Sequence, residues 1–201
     1  MFRTHAFRFL AAACTAALLS ACATAPANLS QATVSAYRDT IALNGRLVVN
    51  YAKDGKPETL IGNFTWNQTP AALDVTLGSS FGAVAAIRVT PESATLTQSD
   101  KAPRVARDID TLTAQSLGWS LPVSGLRDWL QGYATAADGA RFAASPANNT
   151  VTTRDGWKLS FVDWQDAAAG ARPAPKRIDA LRPATLDTEE LSIRIVIAAQ
   201  G

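Results

Sequence analysis

Leu43-Asn44-Gly45-Arg46-Leu47-Val48-Val49-Asn50-Tyr51 decides the fold class. Leu43, Gly45, Leu47, Val49 and Tyr51 recur at every second position, the period of a strand with one face in a core and the other in water. The same period returns at Leu60, Gly62, Phe64 and Trp66, then at Leu73, Val75 and Leu77. Beyond Gly78-Ser79-Ser80-Phe81-Gly82 it continues through Ala85, Ile87 and Val89, then Ala94 and Leu96. Lys53-Asp54-Gly55-Lys56-Pro57 and Gln68-Thr69-Pro70 supply turns between the runs. Short alternating runs joined by such turns predict an antiparallel meander, apolar on one face.

Further along, Val151 opens a weak strand, and Trp157, Leu159 and Phe161 follow the turn Asp155-Gly156. Residues 166–175 read as a flexible loop. Ile178 and Leu181 lie on an expected edge strand that Pro183 ends. Leu191, Ile193, Ile195 and Ile197 give the cleanest alternation in the chain. Three stretches have helical spacing instead. Val34, Tyr37 and Ile41 suggest a helix over 30–41 with Ser30 as its cap. Asp108 caps a second, with Ile109, Leu112 and Leu117 on one face and Gly118 at its end. Pro122 opens a third, carrying Val123, Leu126, Trp129 and Leu130 in one stripe before Gly132. The sum is one α+β domain over residues 30–201, a large antiparallel sheet with helices on its apolar face. No internal repeat is visible.

The front of the chain has a different character. Arg3 and Arg8 precede the apolar stretch Phe9 to Leu19, and Leu19-Ser20-Ala21-Cys22 closes it. Charged, apolar and small-residue regions in that order form a secretory signal. The apolar run falls short of the about 20 residues that span a bilayer. A Cys directly after the small residues resembles the bacterial lipobox, which implies cleavage before Cys22 and lipidation of that residue. Residues 1–21 are then a lipoprotein signal peptide and 22–29 a lipidated tether.

Losing that leader narrows the chemistry. His5 and Cys14 leave with it, so no His and only the modified Cys22 remain. A Cys nucleophile, a Ser-His-Asp triad, a His/Cys zinc site and disulfides are excluded by inventory. Nothing marks a carboxylate pair or a Ser-Lys dyad, so an enzyme is not expected, nor a cofactor. The chain carries 19 Lys and Arg against 17 Asp and Glu, and Arg3 and Arg8 lie in the leader, so the remainder is formally neutral. No basic cluster stands out to track phosphates, and no nucleic-acid partner is expected.

Several segments together resemble the LolB family, the outer-membrane receptors of lipoprotein localisation. They are Leu43-Asn44-Gly45-Arg46-Leu47-Val48-Val49, Phe64-Thr65-Trp66, Ser80-Phe81-Gly82 and, most specific, the stretch from Leu121 to Gly132 within Gly118–Gly132. The likeness runs from about residue 41 to the C-terminus and includes the lipobox. It implies an incomplete antiparallel β-barrel with a helical lid over an apolar cavity. It also implies a function: accepting lipoproteins from the periplasmic carrier LolA and delivering them to the outer membrane, with no nucleotide or metal. A lipid-anchored monomer on the periplasmic face of the outer membrane is the expected form, and Ala23 after Cys22 agrees with outward sorting. At the loop after the third strand the family often carries Pro-Leu-Gly, where this chain has Ser80-Phe81-Gly82. Ala134 to Asn149 lacks a family pattern, leaving the strand count there open.

The candidate wall of an acyl-chain cavity comprises Trp66, Val75, Leu77, Ile87, Trp129, Leu130, Trp157, Phe161, Ile193 and Ile195. Alternation reports burial rather than emptiness, so each aliphatic position fits a dry core equally. The resemblance places Trp66, Trp129 and Trp157 at cavity tryptophans and gives Phe81 the role of an apolar side chain entering the membrane at delivery. Arg127 and Asp128 fall on the polar side of the Trp129 helix. Two other functions remain open on the residues alone: a structural or assembly lipoprotein packed against an outer-membrane complex, and a lipoprotein that binds some small apolar molecule.

Overall fold

A computed structural model describes residues 29–53, 55–79, 82–99, 101–117, 122–165, 171–186 and 189–199, and among these it shows twelve strands and two helices. The meander is β1 (Ile41–Lys53), β2 (Lys56–Gln68), β3 (Leu73–Ser79), β4 (Gly82–Val89), β5 (Ala94–Gln98) and β6 (Lys101–Ala106). Then come α1 (Ile109–Leu117) and α2 (Val123–Trp129), followed by the small hairpin β7 (Tyr133–Thr135) and β8 (Arg141–Ala143). β9 (Thr150–Thr152), β10 (Lys158–Trp164), β11 (Pro175–Arg182) and β12 (Leu191–Ile197) complete the order.

Ten strands form one sheet in the order β6-β5-β4-β3-β2-β1-β12-β11-β10-β9, every pair antiparallel. The chain's last strand closes onto its first, with Val49 opposite Ile193 and Leu47 opposite Ile195. β6 and β9 stand as the two edges, so the sheet curls without closing. The alternation read from sequence sorts the two faces. Val49, Phe64, Trp66, Val75, Ile87, Ile193 and Ile195 are buried inward, while Arg46, Asn63, Thr65, Arg88 and Arg194 face out. The result is an incomplete antiparallel barrel in an α+β fold, with α1 and α2 laid over its apolar face.

Asp108 caps α1: Thr111 donates its backbone N–H to Asp108 Oδ1 at 2.8 Å and its hydroxyl to Oδ2 at 3.0 Å. These bonds hold the Asp108 carboxyl below its usual value. Asp110, one residue into α1, accepts from the Ser124 hydroxyl at 2.6 Å and the Ser124 N–H at 3.4 Å. The two helices are thereby tied first turn to first turn. Pro122 is the residue before α2, at φ −79 and ψ 60, rather than its first helical position. Gly132, at φ +83, ends the segment, its N–H donating to the Trp129 carbonyl.

Two expectations fail. Residues 30–40 form no helix but an extended strap. Its backbone groups are taken by distant partners: the Val34 N–H donates to the Ala144 carbonyl at 3.0 Å, and the Ala147 N–H to the Ser30 carbonyl at 3.1 Å. Val34, 3% exposed, plugs into the β8 region, so a spacing of three between Val34 and Tyr37 marks two anchor points and not a helix face. The strand holding Ile178 and Leu181 is no edge; β11 lies between β12 and β10, Ile178 facing the core and Leu181 the outer surface. Pro183 does follow its end. The polar strand β6, exposed along nearly all its length, carries no alternation and was not expected.

Candidate functional site

The inner face of the sheet and the underside of α2 enclose an apolar cavity of about 70 Å³. Sheet residues Leu47, Val49, Leu60, Phe64, Trp66, Val75, Leu77, Ile87, Ile193 and Ile195 line it, and Val123, Leu126 and Leu130 close it from the helical side. No polar side chain is among them. α2 presents this stripe because its apolar residues fall at three- and four-residue spacing. Gly125, outside that stripe, serves Trp129: a Cβ there would lie 2.8 Å from Trp129 Cζ2, so glycine lets the indole lie back along the helix.

Of the wall residues read from sequence, Trp66, Val75, Leu77, Ile87, Leu130, Ile193 and Ile195 line the cavity. Trp129, Trp157 and Phe161 do not; they are buried in the packed core, in two sets of ring contacts. Trp129 meets Trp157 at 5.6 Å between ring centres and 61°. Phe161 stacks on Phe142 at 6.2 Å and leans on Trp164 at 6.4 Å. Leu47, Val49, Leu60 and Phe64 belong to the same alternating runs but were not singled out, because periodicity cannot tell a packed inward position from one beside a hollow. Val123 and Leu126 had the helical stripe as their signal.

One end of the cavity is shut. Trp66 Nε1 donates to Gln68 Oε1 at 3.2 Å, and Gln68 Nε2 donates to the Tyr37 hydroxyl at 3.0 Å. Gln68 is only 2% exposed, so both halves of its amide are satisfied where water cannot reach. The strap residue Tyr37 also meets Tyr133 edge-on at 5.9 Å. Arg141 lies over both rings, at 5.3 and 4.6 Å, and reaches Asp128 of α2 at 3.7 Å. At the other end Leu47, Leu60 and Leu77 are only half-buried, though they point inward. That end carries the β1–β2 turn, with Gly55 at φ +72, and the paired Ser79 and Gly82 that bound the link between β3 and β4. Phe81, in that link, and Cys22 lie outside the described residues.

A profile of the family described as outer membrane lipoprotein LolB matches residues 39–199. Proteins named outer-membrane lipoprotein LolB are similar along most of the chain. The one from Cupriavidus necator is 39% identical over 155 residues, 76% of each chain. That from Cupriavidus taiwanensis is 37% identical over 161 residues, 78% of each. That from Ralstonia nicotianae is 35% identical over 191 residues, 90% of each. Among solved structures, a LolA superfamily protein from Nitrosomonas europaea overlaps 81% of this chain and 86% of its own at a TM-score of 0.44 and 7% identity. That overlap is too loose to bear on the fold, which rests on the strand pairing itself. With the profile spanning the whole sheet and both helices, the chain belongs to the LolB family of outer-membrane lipoproteins.

Proposed function

We propose that the protein takes the acyl chains of lipoproteins from a LolA-like periplasmic carrier into its apolar cavity and surrenders them to the outer membrane. Its family makes it an outer-membrane lipoprotein receptor of lipoprotein localisation. On this reading the thiol of Cys22 carries the lipid that tethers it to the periplasmic face, and Phe81 enters the bilayer at delivery. The protein works as a monomer and performs no covalent chemistry.

The observation that carries the reading is a hollow lined only by apolar side chains and capped by the short helix α2. At about 70 Å³ it is smaller than the roughly 150 Å³ cavity that holds one benzene. On this reading an acyl tail enters when α2 lifts, and Val123, Leu126 and Leu130 fill its place meanwhile. This exchange sets the affinity. Each methylene taken from water gains about 0.8 kcal/mol, but the lid residues lose burial as they leave. The net is a site better than water and weaker than a bilayer, as a donor to a membrane requires. A step of about 1.4 kcal/mol between successive acceptors gives tenfold direction without fuel.

The test is transfer of a lipoprotein from a loaded carrier to liposomes, with wild type and Ile195→Trp compared. Filling the cavity should abolish uptake while the fold survives. Undiminished transfer by the filled variant would overturn the reading.

A further inference from the structure

Along β11 the inward positions are Ile178, Ala180 and Arg182, the first two 0% and 2% exposed. Arg182 pairs with Leu191, one inward step beyond the pairing of Ala180 with the cavity residue Ile193. Two residues of strand put it about 7 Å past that wall. Its guanidinium carbon lies 5.4 Å from the centre of the Trp157 ring, which is itself buried. The Nε–H is shielded from solvent and has no acceptor among the described residues. A buried donor left unpaired costs about what a hydrogen bond to it would return, so the fold carries this arginine at a loss.

The contrast with Gln68 is informative. Both are polar residues on the inner face at opposite ends of the sheet, Gln68 on β2 and Arg182 on β11; the Gln68 amide has partners on its oxygen and its nitrogen, whereas Arg182 Nε has none among the described residues. A ligand made of hydrocarbon alone leaves Nε–H as it is. One with a carbonyl at the end of its tails supplies what is missing, because guanidinium only donates and an ester carbonyl only accepts.

We propose that Arg182 is a head-group site: it donates to the ester carbonyl of a diacylglyceryl lipid whose tails occupy the cavity, and so fixes which way the cargo lies. This rests on the carrier reading above. The carbonyl end then sits at the end of the sheet that holds the β1–β2 turn and the Ser79–Gly82 pair, with the tails pointing toward Gln68. Ester carbonyls occur in lipoprotein anchors and in phospholipids alike, and the probes below separate the two.

The experiment measures displacement of a fluorescent fatty acid from the full chain by three competitors. They are a diacylglyceryl-cysteine lipopeptide, its ether-linked dialkyl analogue without ester carbonyls, and dipalmitoyl phosphatidylglycerol. Wild type should bind the ester lipopeptide on the order of tenfold more tightly than the ether. Arg182→Met should erase that gap with ether affinity unchanged. Arg182→Lys, which keeps a stem and a charge over Trp157, should narrow it and serves if the Met variant does not fold. Equal wild-type affinity for ester and ether, an equal loss for both in the variants, or a loss confined to phosphatidylglycerol overturns the proposal. Wild type that binds the ether but shows no gap leaves the carrier reading standing; wild type that binds none of the three overturns both.

Discussion

Gln131 and Arg38 hold one another through two hydrogen bonds. The Arg38 N–H donates to Gln131 Oε1 at 2.9 Å, and Gln131 Nε2 donates back to the Arg38 carbonyl at 3.0 Å. Gln131 lies just beyond α2, so this amide pins the strap to the C-terminal end of the lid. Asp110 and Ser124 bind the helices to each other at the far end of α2. The lid therefore has its C-terminal end tied to the strap over residues 30–40.

Gln131→Ala should lower the stability of the fold by about 1–2 kcal/mol, the net worth of two hydrogen bonds at a partly exposed site. Urea unfolding reads this directly. An unchanged midpoint would show that the strap does not grip the lid.

Gly132→Ala and Gly139→Ala form a matched pair. Both glycines have positive φ, +83 and +86. A Cβ at Gly139 meets nothing within 4 Å, whereas one at Gly132 lies 2.6 Å from Val34 Cγ1. Both should cost about 1 kcal/mol for the backbone, and Gly132→Ala about 1–3 kcal/mol more for displacing the buried strap. Equal melting temperatures for the two variants would mean that Val34 yields freely.

Asp179 on the outer face should make part of the stability sensitive to acid. Burial alone would raise its pKa, but hydrogen bonds from Arg177 at 2.6 Å and Arg194 at 3.0 Å outweigh that and hold it below its usual 3.8. A carboxyl depressed in the folded state stabilises above its unfolded pKa, and the gain is lost as pH falls through the folded value. Asp179→Asn should cost on the order of 1 kcal/mol at pH 7, since the pair is partly exposed and screened. The two proteins should converge as the pH is taken below 3.8. A constant difference at every pH would assign the effect to packing.

Phe81→Glu should leave cargo uptake unchanged and block release into liposomes, because a carboxylate resists entry to hydrocarbon. Measuring both steps with a fluorescent lipoprotein separates them. Normal release by the variant would remove Phe81 from the delivery step.

How much of this was legible in the sequence depends on which interactions are local. The alternation at Leu43–Tyr51 and Leu191–Ile197 marked inward residues correctly, because a one-residue slip would turn every side chain to the wrong face. Asp108 and Gly132 marked helix ends, their signals lying within four residues. The strap did not show, since Val34, Tyr37 and Arg38 are set by Ala144, Gln68 and Gln131, all distant in sequence. The place of β11 in the sheet escaped for the same reason: nothing near Ile178 announces two neighbours. For the cavity, sequence identified an apolar face but could not separate Ile193 beside the hollow from Phe161 in the packed core. That division depends on how far α2 stands from each strand.

The central claim is that acyl tails lie between the sheet and α2. The most direct measurement is relaxation broadening of methyl resonances by a fatty acid carrying a spin label near its tail. The account predicts strong broadening at Val75, Ile87, Leu126 and Ile195, with Val105 and Val162, exposed on the sheet, unaffected. Broadening of the exposed valines with the cavity methyls untouched would contradict it.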